Sequence, residues 1–201
     1  MNTPTAVALL HCFLFAVLVR SAPAPLPAFR ETAERAKTLV EKILRDLPDV
    51  HAATINTEGL TLDPSTQTAN LQMMVTSLGI PAGPVIKPLS ERFTLDMCVS
   101  RMLAGGRLYQ GLLGILSERL SGLTDMRADL RDLLTHLRKM KEAAQLADDG
   151  LDQNPSLDLS TRLRGNYEVQ VAVHLTLTQL RSFCHDLIRS LRAIARTSGT
   201  R

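Results

Sequence analysis

The connections between amphipathic segments constrain this chain more than any one segment does. Four stretches place apolar residues at steps of three and four, the signature of a helix with one buried face. The first spans Phe29 to Leu47, with Phe29, Ala33, Ala36, Val40, Ile43, Leu44 and Leu47 on one side. Glu34, Thr38, Glu41, Lys42 and Arg45 lie opposite, and Pro48 is expected to end it. The second spans Ser90 to Leu120, with Ser90 as expected N-cap and Gly105-Gly106 inside, either kinking the helix or admitting a close neighbour. The third starts at an expected Thr124 cap, carries Met126, Leu130, Leu133, Leu137, Met140 and Ala144, and stops at Asp148-Asp149-Gly150. The fourth covers Val169 to Ala195, with a possible start at Ser160; its stripe is Val169, Val173, Thr176, Leu180, Phe183, Leu187, Leu191 and Ile194.

Only a few residues separate the second and third segments, so that pair is antiparallel. About forty separate the first and second, a length that is rare for a structureless loop. A helix of about 25 residues is about 37 Å long, and a connection of that size traverses it. The link from Asp148 to about Ser160 reaches across too. Two overhand connections around one short turn predict an all-α fold. It is an up-up-down-down four-helix bundle with long crossovers. Within the first crossover, Ala69–Ser77 reads as a short extra helix with Leu71, Met74 and Leu78 inward. The following SLGIPAGPVIKPLS has three prolines and two glycines, which forbid a regular element. Its Ile80, Val85, Ile86 and Leu89 are expected to lie against the helices rather than in water.

The 201 residues suffice for one domain with its own core. With 23 basic and 20 acidic side chains, interspersed, and no Trp, the chain lacks a phosphate-tracking surface or a base-stacking platform. Residues 1–21 read as a signal peptide: an apolar run from Ala6 to Val19, no Lys or Arg before it, and a small residue at Ser21. The alternative is an N-terminal anchor. Residues 22–201 then form the mature, secreted domain, with Ala22–Pro27 as an extended arm. Of the cysteines only Cys98 and Cys184 remain, both on apolar stripes. They are either two buried thiols or a bond between the second and fourth helices. No Asn-X-Ser/Thr acceptor, HExxH, phosphate-binding glycine loop or GxSxG is present. Cys184-His185 is no catalytic dyad, because adjacent helical side chains point about 100° apart. The reading is of a non-enzyme without cofactor or metal, inserted in no membrane.

Ser77-Leu-Gly-Ile-Pro81, Leu108-Tyr-Gln-Gly-Leu-Leu113, and Leu180-Arg-Ser-Phe183 with Ser190-Leu-Arg192 occur in an order and spacing that resemble the granulocyte colony-stimulating factor family. These are long-chain four-helix cytokines of the interleukin-6 class. The likeness covers most of the mature chain, and Asp129-Leu-Arg-Asp132 resembles the family's acidic pair in the third helix. The resemblance implies a secreted cytokine and growth factor. It would be a monomer that binds and dimerises a class I cytokine receptor like that of granulocyte colony-stimulating factor, promoting granulocyte growth and differentiation in the immune response. It places receptor contacts at Glu41, Lys42, Arg45, Asp129 and Asp132, and a second receptor site near Asn70. The chain departs from the family in keeping Cys98 alone of its four disulfide cysteines, with Pro88 where the partner of Cys98 would stand. Asn70 replaces a receptor-contacting glutamate, and Glu41 meets the family's key glutamate only after a shift of one residue.

Read without the resemblance, Glu41, Lys42 and Arg45 are ordinary solvating charge. Two other functions stay open: an interleukin-6-like cytokine, and an amphipathic lipid carrier. A carrier would show proline-punctuated repeats of fixed length, and these are absent.

Overall fold

A computed structural model describes residues 26–63, 69–146 and 158–197. Among them are six helices and no strand: α1 (Leu26–Thr54), α2 (Ala69–Leu78), α3 (Leu95–Ser117), α4 (Thr124–Ala143), α5 (Leu159–Arg162) and α6 (Asn166–Thr197). The four long helices form a helical bundle in which α1 packs on α4 and α6, and α3 packs on the same two. The expected leader, residues 22–25 of the expected arm, the expected stop at Asp148–Gly150 and the tail beyond Thr197 lie outside the described residues; Leu26 and Pro27, read as the end of that extended arm, instead open α1, where proline suits the first turn.

The apolar stripes are the buried faces. Ala36, Val40, Ile43 and Leu47 of α1, Leu130, Leu133 and Leu137 of α4, and Val173, Leu180 and Leu187 of α6 have essentially no exposed surface. Removing apolar area from water at about 25 cal/mol per Å² is the main force holding these faces together. The alternation in Glu168–Val173 belongs to no strand. It starts α6, where Val169 to Leu177 is buried on every side because α1 and α2 both cover it.

Four helix ends differ from expectation. α1 does not stop at Pro48 but continues to Thr54. Proline within a helix costs about 3 kcal/mol, since it lacks the N–H for the carbonyl four residues back. The extension offsets this by continuing the inward face at steps of four and three through Leu47, His51 and Thr54, all buried. The last two are polar, so an apolar pattern misses them. α3 begins at Leu95 rather than Ser90, because Thr94 is the cap: its Oγ1 accepts from Met97 N at 3.3 Å. Ser90 instead closes a small turn on Phe93, whose N–H reaches the Ser90 carbonyl at 3.1 Å. α4 opens one residue early, with Leu123 at the cap position, and ends at Ala143. There Gln145 turns left-handed at φ 50°, Gln145 N donates to Glu142 O and Leu146 N to Lys141 O, a Schellman stop made without glycine.

Of the crossover residues expected to face inward, all but one do so. Leu71, Leu78, Ile80 and Ile86 are buried and Met74 and Leu89 partly so, whereas Val85 is 58 % exposed. The proline-rich backbone there cannot turn both Val85 and Ile86 inward, and Ile86 takes the core side. Three guanidinium groups hold this segment through backbone carbonyls: Arg181 of α6 donates to Leu62 O at 2.9 Å, Arg162 of α5 to Ser77 O at 3.1 Å, and Arg101 of α3 to Val85 O at 3.3 Å.

Gly105 and Gly106 admit neighbours. A Cβ at Gly105 would sit 2.3 Å from the Phe183 ring of α6, and one at Gly106 would sit 2.8 Å from Leu134 of α4. Cys98 and Cys184 are buried free thiols, so the bond between helices is not made. Burial pushes Cys184 up to about 12 and Cys98 up to about 11, the latter opposed by a hydrogen bond with Ser190. Both stay protonated and inert at neutral pH.

Gly105→Ala tests the close approach. In an open helix the change would stabilise by up to about 1 kcal/mol. Here we expect a net loss of about 1–3 kcal/mol in denaturant unfolding, because Phe183 must leave its place against Tyr109. A gain in stability would show that α3 and α6 are not in contact at this point.

Candidate functional site

Residues 41, 42 and 45 project from the outer side of α1, away from the stripe of Val40, Ile43 and Leu47. Successive helical residues are rotated by about 100°, so Glu41 and Lys42 lean to opposite flanks. Glu41 meets Arg192 of α6 at 3.3 Å. Lys42 donates to Asp129 of α4 and lies 3.1 Å from Asp46 one turn on. Arg45, the most exposed of the three, reaches only Asp46, at 3.3 Å.

On α4, Asp129 and Asp132 are one turn apart but differ in setting. The side chain of Asp129 is 17 % exposed beneath the Lys42 ammonium, whereas that of Asp132 is 59 % exposed and meets only Arg131, at 3.6 Å. The hydrogen bonds from Lys42 to Asp129 and then to Asp46 hold the ammonium above its ordinary pKa, and the bond from Lys42 is the main cause that lowers the pKa of Asp46. Asp132 also borders a groove of about 410 Å³ between α1 and α4, shared with Arg35, Leu39, His136 and Lys139. Burial lowers the His136 pKa, Lys139 and Arg35 lower it further, and Asp132 opposes them.

The structure thus brings Lys42 and Asp129 into direct contact, with Asp132 one turn along α4. It does not join Glu41 to the acids of α4. Asn70 lies in the first turn of α2, and its side chain is outside the described residues. Sequence reasoning missed Arg192 and Asp46. The Asp46 signal was readable, since Lys42 and Asp46 stand at i,i+4. Arg192 is 151 residues from Glu41, and no local pattern reports such a pair.

A second polar group also went unread. At the other end of α1, His51 Nε2 lies 2.9 Å from His174 Nδ1 of α6, both rings buried. Beside them, Gln170 Oε1 accepts from Asn56 N, Thr57 N and Thr57 Oγ1.

Among the described residues no group of three or more His, Cys, Asp and Glu side chains could hold a metal ion, and no helix is long and apolar enough to cross a membrane. The α1–α4 face carries mixed charge on two helices around a shallow groove.

A double-mutant cycle of Lys42→Ala and Asp129→Ala, read by urea unfolding, should give a coupling of about 0.5–1 kcal/mol, the upper part of the range for partly exposed pairs. Zero coupling would mean the two side chains do not hold one another in solution. No protein-family model matches the chain and no curated protein matches its sequence, so the reading of this face rests on its own residues and geometry.

Proposed function

We propose that this protein is a secreted up-up-down-down four-helix cytokine that engages a class I cytokine receptor through the α1–α4 face. The observation that carries the reading is the packing circuit α1–α4–α3–α6, combined with two long connections and one short one. Contacts along each side of the circuit run in opposite sense. Lys42 meets Asp129 and Thr54 approaches Gly122; Glu41 meets Arg192 and His51 meets His174. Cys98 meets Ser190 and Gly105 approaches Phe183; Gly106 approaches Leu134 and Gly114 approaches Arg127. Antiparallel neighbours on all four sides, with the first and second long helices diagonal, are what two overhand crossovers generate.

The motifs that carry the likeness occupy the positions this reading needs. Ser77–Pro81 ends α2 and enters the crossover, Leu108–Leu113 lies in α3, and Leu180–Phe183 supplies the Phe183 ring of α6 that meets Gly105 and Tyr109 of α3. The receptor contacts proposed are Glu41, Lys42, Arg45, Asp129 and Asp132, with a second receptor contact near Asn70. Exposed charges of this sort select partners and speed encounter more than they add affinity. The function proposed is growth and differentiation signalling in the granulocyte lineage.

The test is titration against class I receptor ectodomains while following complex mass. Asp132→Lys and Glu41→Lys should each leave stability within about 0.5 kcal/mol, as surface changes do. Each should weaken binding more than tenfold, about 1.4 kcal/mol. Parent-like binding by both variants would remove the face from the site, and failure of the parent to bind any ectodomain would remove the receptor reading itself. Material recovered from the medium of expressing cells should begin near Ala22 on amino-terminal sequencing; a start at Met1 would exclude a cleaved leader.

A further inference from the structure

The His51–His174 contact is unusual for what surrounds it. His51 is 7 % exposed and His174 1 %, and the nitrogens that face each other share one hydrogen bond of 2.9 Å. One ring donates and the other accepts, which requires the accepting imidazole to be neutral and, in this buried setting, favours neutrality of both. An added proton on the facing acceptor sets two N–H groups against each other. A proton on an outer nitrogen leaves a cation in the core. Among the described residues no acid offsets either outcome: Asp49 of α1, Glu58 beyond it, Asp125 in the first turn of α4 and Glu168 in the first turn of α6 do not contribute to the state of either ring. Burial alone lowers His51. Burial first, and then the charge of His51, lowers His174 to about 4.

Apart from Val50, Thr54 and Ile55, which pack against the core, what the pair holds in place has few other fastenings. Beyond Pro48 the last part of α1 is joined to the rest of its helix across a residue with no N–H. The chain then leaves the helix at Ile55 and is caught by Gln170, whose single carbonyl oxygen takes three donors from Asn56 and Thr57. Gln170 and His174 stand one turn apart on α6. The two fastenings therefore act on the same short stretch, and one of them depends on proton concentration.

We propose that His51 and His174 form an acid-operated latch: while neutral they hold the end of α1 and the segment Ile55–Thr57 against α6, and acidification releases this end while the remainder of the bundle stays folded. The sign follows from linkage. A base whose folded pKa lies below its free value binds its proton more readily in the open form. The stabilisation is complete above about 6.5 and declines as pH falls toward about 4. For His174 alone, between about 4 when closed and about 6.5 when open, opening becomes roughly 60-fold more favourable at pH 4.5 than at pH 7.

Hydrogen exchange with mass spectrometry on the full chain reads this directly, with times scaled for the intrinsic pH dependence of exchange. Peptides covering 48–57 and 166–174 should lose protection at pH 4.5 by several tens of fold, while peptides within α3 and α4 keep theirs. In a chain with His51→Gln and His174→Gln, which retains a donor and an acceptor but cannot titrate, protection at this end should not change with pH. Retained protection in the parent at pH 4.5, simultaneous loss in all helices, or equal release in the double variant would each overturn the latch. If the double variant does not fold, imidazole NMR of the parent decides. Two imidazoles in mutual contact should titrate well below 6.5, in step with the loss of protection. Titration of both near 6.5, or with no accompanying exchange, refutes the proposal.

Discussion

Contact between α3 and its two neighbours at Gly105 and Gly106 sets the spacing of half the bundle. With no Cβ at either position, Phe183 and Leu134 come to the α3 backbone from two sides. Tyr109, one turn on, then stacks against Phe183 with ring centroids 5.2 Å apart. The burial of Cys98, Met102, Leu112, Leu113 and Leu116 depends on that distance. The crossover is fastened to the same helix, where Arg101 donates to Val85 O. Helix propensity is given up at two residues, and tertiary packing recovers it.

The two faces of α1 follow different physics. Its inner face is sealed by apolar burial and, past Pro48, by a neutral polar pair. Its outer face is bracketed by ion pairs, Glu41 with Arg192 on one flank and Lys42 with Asp129 on the other. Exposed pairs of this kind contribute little to stability. Their effect is to fix where charge is displayed. Asp132 and Arg45 remain the more exposed members, so a partner approaching this side meets them before the charges already engaged between helices.

Much of the fold was legible. The apolar stripes predicted the buried faces of all four long helices, and the unequal connections led to a bundle with a short helix in its first crossover. The errors have a common cause. Pro48 is overridden by His51 and Thr54, whose polar side chains are silent in an apolar pattern but are buried in pairs. Thr94 displaced Ser90 because the turn onto Phe93 uses Ser90 first. Gln145 took the left-handed position usually given to glycine, so the end of α4 had no sequence signal. The candidate site was legible only as a set of outward positions. Which charge faces which depends on helix rotation within the bundle, and no spacing along the chain encodes that rotation.

The crossover is fastened by Arg101, Arg162 and Arg181, one each from α3, α5 and α6. Each makes a single charge-assisted bond to a main-chain oxygen, and a carbonyl oxygen is present whatever the residue. The strap is therefore indifferent to its own side chains at the buckles, and substitution at Leu62, Ser77 or Val85 leaves the fastening chemistry intact. Three reversible buckles on three elements also let the strap loosen in stages, where a covalent cross-link would open all at once or not at all. Because guanidinium stays charged across the whole working range of pH, this fastening is deaf to both protons and reductants. The mechanical integrity of the first crossover is thus separated from the acidity and redox state of its surroundings.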